Sequence, residues 1–178
     1  MYFGADYYPE EWPRERWETD VRLMAEAGFN VVRLAELAWS LLEPEPDVYR
    51  FQWLDEAIEL LHSHGIDTVL GTPTTTAPPW MVGLDPDSLQ VTVNGLRTSY
   101  GTWGNFCLNS PAFRERSRTI AQVMARHYRD NPAVIGWQVD NEFGVHGRAR
   151  CYCQYCASAF RQWLHRRYGS LEDVRRAW

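Results

Sequence analysis

Apolar residues along the chain alternate between two rhythms. Short runs at 2–8 ("YFGADYY"), 30–36 ("NVVRLAE"), 66–72 ("IDTVLGT") and 134–139 ("VIGWQV") have the length and the β-branched or aromatic content of strands, the last of them a buried one. Between them, apolar positions recur every three or four residues. After the first run, Pro13 suits the first turn of a helix, Trp17, Val21 and Met24 share a face, and Gly28 ends it. The segment "FQWLDEAIELLHSHG" repeats the pattern through Phe51, Leu54, Ile58 and Leu61 and stops at Gly65. A longer polar excursion follows the third strand. "PTTTAPPW" continues neither strand nor helix, and Asn94-Gly95 between alternating residues signals a hairpin. Ser110-Pro111 then opens a helix with Phe113, Ile120, Met124 and Tyr128 on one face. Beyond the fourth strand, Cys156 to Tyr168 is helical and ends at Gly169, and "LEDVRRAW" starts another helix after a cap at Ser170.

Alternating strands and helices imply a parallel sheet with helical crossovers. The first turn, "DYYPEEW", lacks the glycines of a doubly wound dinucleotide fold. Every strand instead ends in polar or aromatic residues, namely Asp6-Tyr7, Glu36, Thr72 and Asn141-Glu142. Active sites of (β/α)₈ barrels are built at that end. A barrel takes about 250 residues, and four strands are visible, so the chain reads as α/β, the N-terminal part of a (β/α)₈ TIM barrel, truncated.

Composition narrows the function classes. The 178 residues carry a formal net charge of −5, which opposes a nucleic-acid partner needing a basic face. No apolar run approaches the roughly 20 residues that cross a bilayer, and "MYFGADYYPEEW" has no signal-type segment. Cytoplasmic residence is the expectation. Nine Trp and nine Tyr raise the aromatic share to 14%, which suits a cleft that stacks on rings, or a Trp-rich core.

Two constellations carry chemistry. Asp140-Asn141-Glu142 ends an apolar strand abruptly, and buried carboxylates need partners or change protonation. Glycoside hydrolysis needs one carboxylic acid to protonate the leaving oxygen, a second carboxylate across the sugar, and donors to the ring hydroxyls. Capping of a loop explains the same residues, and both readings stand on spacing alone. The second constellation is Cys151-x-Cys153-x₂-Cys156, with Cys107 in the loop entering the preceding helix. Four thiolates close a tetrahedral zinc site with no position for water, a structural site that would staple two loops beside the cleft. Four unrelated thiols are the alternative; the tight triplet favours zinc. His62-Ser63-His64 sits at a helix C-terminus, where histidine is ordinary, and Glu43-Pro44-Glu45-Pro46-Asp47 reads as a solvated acidic loop.

In order and spacing, "NVVRLAELAWSLLEP", "FQWLDEAIELL", "VLGTPTTTAPPW", "FCLNSPAFR" and "AVIGWQVDNEFG" resemble the N-terminal half of glycoside hydrolase family 42, retaining β-galactosidases on a (β/α)₈ barrel. The resemblance implies one domain over 1–178, half of the catalytic barrel, with a zinc-binding loop region at 107–156. It implies that Glu142 is the general acid/base and that Asn141 contacts the sugar. It implies that Cys107, Cys151, Cys153 and Cys156 hold structural zinc, and that the complete enzyme is a homotrimer acting on β-galactosides. The family's nucleophile is a Glu on strand 7, which places it beyond Trp178. The family usually has an Arg four residues before the first zinc cysteine; here Trp103 stands there. A Trp stacks on a sugar face but lacks paired donors, so affinity or sugar preference is expected to differ. With half the pair absent, the 178-residue chain alone is expected to be inactive. A non-catalytic, zinc-stapled carbohydrate-binding or interaction protein is the alternative function.

Overall fold

The four apolar runs are parallel strands: β1 (Gly4–Asp6), β2 (Val31–Leu34), β3 (Asp67–Gly71) and β4 (Val134–Gln138). The computed structural model describes residues 1–101, 104–142, 144 and 150–178. Among the described residues the strands form one sheet in the order β1-β2-β3-β4, each paired with its neighbour in sequence. This is the right connectivity for a barrel wall. Helices α1 (Arg14–Glu26), α2 (Trp39–Leu42), α3 (Gln52–Ser63), α4 (Trp80–Leu84) and α5 (Pro111–Tyr128) occupy the crossovers, and α6 (Gln154–Tyr168) and α7 (Leu171–Ala177) follow β4.

The chain divides into two compact units, Met1–Trp80 with Ser117–Phe143, and Met81–Arg116 with Gly144–Trp178. The first holds the sheet. Its core is made by the helical faces the sequence announces: Trp17 and Val21 of α1, Leu54, Ile58 and Leu61 of α3, and Ile120, Met124 and Tyr128 of α5 are buried, as are Val32, Leu34, Ile66 and Leu70. Full burial of each aliphatic side chain contributes about 1.5–3 kcal/mol. Trp17 also donates its indole N–H to the Pro9 carbonyl at 2.8 Å.

In the second unit the Asn94-Gly95 turn forms as expected. Thr92 N donates to Leu96 O at 2.8 Å, and Val91 and Arg97 form a single antiparallel bridge. Phe106 stacks on Phe113 with centroids 5.3 Å apart. Ser110 caps α5 by accepting from the Phe113 N–H at 3.2 Å while donating to Asp85 at 3.0 Å. Ser170 caps α7 in the same way through the Asp173 N–H.

Three expectations need correction. The fourth strand is not fully buried: Ile135 and Trp137 are 40% and 39% exposed. As the last strand of the sheet it has a neighbour on one side only. The run at 30–36 stops as a strand at Leu34, because Ala35 turns into the left-handed region with φ 72°, and the one-turn helix α2 follows. Glu43 is not solvated but fully buried, accepting from the Trp39 indole N–H at 2.7 Å and from the Asp47 N–H at 2.9 Å.

Candidate functional site

At the C-terminal end of β4 the backbone bends sharply. Asp140 and Glu142 have φ of 59° and 52°. Left-handed conformations of non-glycine residues cost about 1–3 kcal/mol each and persist where the surroundings impose them. Here the loop after β3 does so. Thr72 Oγ1 accepts from Asp140 N at 2.7 Å, and Thr75 Oγ1 accepts from Asn141 N at 3.1 Å, bonds to the Asp140 carboxylate, and lies 2.9 Å from Asn141 O. Gln138 Nε2 donates to Asn141 Oδ1 at 3.0 Å, which turns the amide so that its NH₂ group faces away from that contact. Asp140 and Asn141 are half-buried and Glu142 is exposed. The arrangement offers an amide donor and a carboxyl group at adjacent positions on one strand end. Trp103, the other expected sugar contact, lies outside the described residues.

A second polar cluster occupies the same ends of β1 and β2, and spacing alone did not reveal it. Glu36, fully buried, accepts from Tyr8 OH at 2.7 Å and from Arg33 at 2.9 Å, and Arg33 also reaches Asp6 at 2.7 Å. Burial pushes the Tyr8 phenol up to about 12, with the Glu36 contact adding to it. For Arg33 burial works downward, but Glu36, Tyr8 and Asp6 outweigh it and hold the guanidinium charged. Gly71 of β3 makes the close packing possible, since a Cβ there would stand 2.4 Å from Glu36 Cβ and 2.7 Å from its Cα. Glu10 lies nearby in electrostatic reach; burial raises its carboxyl to about 7, and the charges of Glu36 and Glu11 contribute. Only Asp6 and Glu36, as polar strand ends, were visible in the sequence.

The four cysteines form a separate centre in the second unit. All are free thiols, Cys107 and Cys153 are buried, and the four sulfur atoms lie within 4.8 Å of one another. Cys107 Sγ is 3.4 Å from both Cys153 Sγ and Cys156 Sγ. A zinc tetrahedron with Zn–S of about 2.3 Å has sulfur–sulfur edges near 3.8 Å, so the cluster needs only small shifts to close on an ion. Val91 N points at Cys151 Sγ at 3.3 Å, Asn109 N at Cys107 Sγ at 3.4 Å and Asn109 Nδ2 at Cys156 Sγ at 3.3 Å. N–H donors aimed at sulfur suit thiolates, the ligating form. Burial pushes the Cys107 and Cys151 thiols up. At Cys153 burial also works upward, but N–H groups of Cys156 and Tyr155 and the neighbouring thiols outweigh it and hold the thiol down. These residues could hold a metal ion, and an all-sulfur set selects zinc or iron–sulfur chemistry over hard cations.

His62 and His64 do not converge on a site. His62 faces Asp67 at 3.5 Å and His64 faces Glu18 at 3.7 Å, on either side of the α3 terminus.

The family profile described as Beta-galactosidase, that of glycoside hydrolase family 42, matches residues 6–178. The chain belongs to glycoside hydrolase family 42. Among curated members, a β-galactosidase of Halorubrum lacusprofundi is 48% identical over 178 residues, covering 100% of this chain and 25% of that protein. One from Thermus thermophilus is 49% identical over 175 residues, covering 98% and 27%. The solved structure of the Halorubrum enzyme superposes with a TM-score of 0.96 over 100% of this chain and 27% of that one. The β-galactosidase of the psychrophilic Marinomonas ef1 gives 0.96 at 39% identity, with the same coverage. The family 42 chain therefore spans about a quarter of the length of these relatives, and its fold is the N-terminal part of their barrel. Among the described residues no helix of this family 42 chain is long and apolar enough to cross a membrane.

Proposed function

We propose that residues 1–178 form the N-terminal half of the catalytic barrel of a retaining β-galactosidase, with a zinc-binding loop region at 107–156. The observation that carries the reading is the bent Asp140–Glu142 segment at the end of β4, in a chain belonging to a β-galactosidase family. Glu142 gives its proton to the glycosidic oxygen as the aglycone leaves, while a carboxylate outside residues 1–178 attacks the anomeric carbon. Water then releases the sugar, with Glu142 taking the proton back. Asn141 donates from Nδ2 to a sugar hydroxyl beside the scissile bond, the orientation that the Gln138 contact favours. Retention calls for the two carboxyl groups to stand about 5–5.5 Å apart.

Cys107, Cys151, Cys153 and Cys156 would hold a zinc ion, whose contribution there is structural, tying the two stretches of the second unit together. This reading is supported by the sulfur spacing and the N–H donors around it.

Glu142→Ala, made in the full gene product that contains this chain, should reduce turnover of galactosides with poor leaving groups by about 10²–10⁴-fold, the usual weight of a general acid. Activated aryl galactosides should lose far less in the first step. Wild-type turnover of poor-leaving-group substrates by the variant would remove Glu142 from the mechanism. Galactoside binding without any turnover by the unaltered gene product would favour a carbohydrate-binding role instead.

A further inference from the structure

We propose that Thr75 is a positioning residue for Glu142, fixing the direction of the Asp140–Glu142 segment through a clamp built by the loop after β3. The inference rests on the assignment of Glu142 as acid/base and deepens it.

The clamp is local and specific. Thr75 is 8% exposed, so water does not stand in readily for its hydroxyl. That hydroxyl has one proton and two acceptor lobes. It accepts from Asn141 N at 3.1 Å and directs its proton to the Asp140 carboxylate or to Asn141 O at 2.9 Å. Asp140 Oδ1 in turn accepts from Asn141 N at 2.6 Å, so one side chain of the β3 loop and one carboxylate grip the same peptide group. On the β3 side of the loop, Thr72 Oγ1 takes the Asp140 N–H at 2.7 Å. One residue beyond Thr75, Thr76 Oγ1 donates to Leu37 O at 2.7 Å, anchoring the loop to the chain beyond β2. The three threonines thus link the ends of β2, β3 and β4. The gripped peptide lies between the two left-handed residues, Asp140 at φ 59° and Glu142 at φ 52°. Relaxing either one swings the Glu142 side chain, because it leaves the main chain immediately after the gripped residue. Backbone of this kind holds only while its surroundings over-determine it. A valine at 75 keeps the shape of threonine and deletes the hydroxyl, leaving the Asp140 carboxylate or Asn141 O short of a donor and Asn141 N with one acceptor fewer.

The test uses the full gene product and compares Thr75→Val, Thr75→Ser and Glu142→Ala. Thr75→Val should lower kcat on a poor-leaving-group galactoside by about 10- to 100-fold with KM changed by no more than about threefold, the pattern of an interaction needed in the transition state. Thr75→Ser should restore most of the turnover. The decisive readout is azide on an activated aryl galactoside. Azide needs no general base: it attacks the anomeric carbon of the glycosyl-enzyme, the bond to the nucleophilic carboxylate breaks, that carboxylate leaves as the anion, and a galactosyl azide is released. Acceleration by azide therefore marks an enzyme whose acid/base is missing or misaimed. Thr75→Val should be accelerated as Glu142→Ala is, and wild type should not. A Thr75→Val enzyme with wild-type kcat, or one that is slower but indifferent to azide, overturns the proposal. If Thr75→Val does not fold, Thr75→Ala carries the same comparison without a second methyl. Should Glu142→Ala itself keep full turnover, the Glu142 assignment fails; should it respond to azide while the Thr75 variants do not, only the positioning role fails.

Discussion

A single carboxyl group tunes how this molecule responds to pH. Glu10 is held up to about 7, chiefly by burial, and its Oε2 is enclosed with no hydrogen-bond partner. A raised carboxyl favours the folded state when protonated, so its contribution is fully present below the ordinary carboxylate value and is lost as pH rises through about 7. Glu10→Gln removes the ionisation. Thermal melts of the variant should be flatter than those of wild type between about pH 5 and about pH 8, and higher at the alkaline end. Parallel wild-type and variant curves would show that the charge is accommodated some other way. Legibility at this scale follows how much information one residue type carries. Cys151-x-Cys153-x₂-Cys156 was readable because thiols are scarce and their spacing is chemical. Thr75 was not, because a threonine among "TTT" and prolines looks like any turn, and its partners lie 65 and 66 residues away.

Elements were readable where one face meets the core and unreadable where the backbone breaks its own rhythm. The periodic faces of α1, α3 and α5 predicted buried residues, with Met24 of α1 only half-buried, since apolar side chains spaced every 3.6 residues line up along one side of a helix. "NVVRLAELAWSLL" hid a strand end, a left-handed Ala35 and a one-turn helix inside one apolar run, because hydropathy carries no sign of φ. The contact of β3 with the chain just past β2 gives a sharp test. At Gly71 the added methyl of alanine would meet Glu36 at 2.4 Å and 2.7 Å, backbone included, so neither side can yield cheaply. Gly71→Ala should destabilise the sheet by about 1–3 kcal/mol or more, the range for overpacking, and a urea titration measures it. An unchanged midpoint would mean that the two strand ends are looser than they stand here.

At the scale of the whole molecule, each unit depends on a different kind of closure. The second unit is made from two stretches far apart in sequence, with Cys107 on one and the other three cysteines on the second. Its helices α6 and α7 bury no residue fully. Elemental analysis should find one zinc per chain. Its removal by a strong chelator, or Cys107→Ser, should open 81–116 to protease at temperatures where the sheet unit stays intact. Equal protease resistance with and without the metal would leave the sulfur cluster without a structural task. The sheet unit closes differently. Among the described residues β1 and β4 each pair on one side only, and the two vacant edges run in the same direction. Such a surface is self-complementary in a head-to-tail sense. On a growing polypeptide the same edges form before any later strand exists to cover them. The order of synthesis then sets an interval in which neighbouring chains on one message compete with the rest of their own sequence for the same hydrogen bonds.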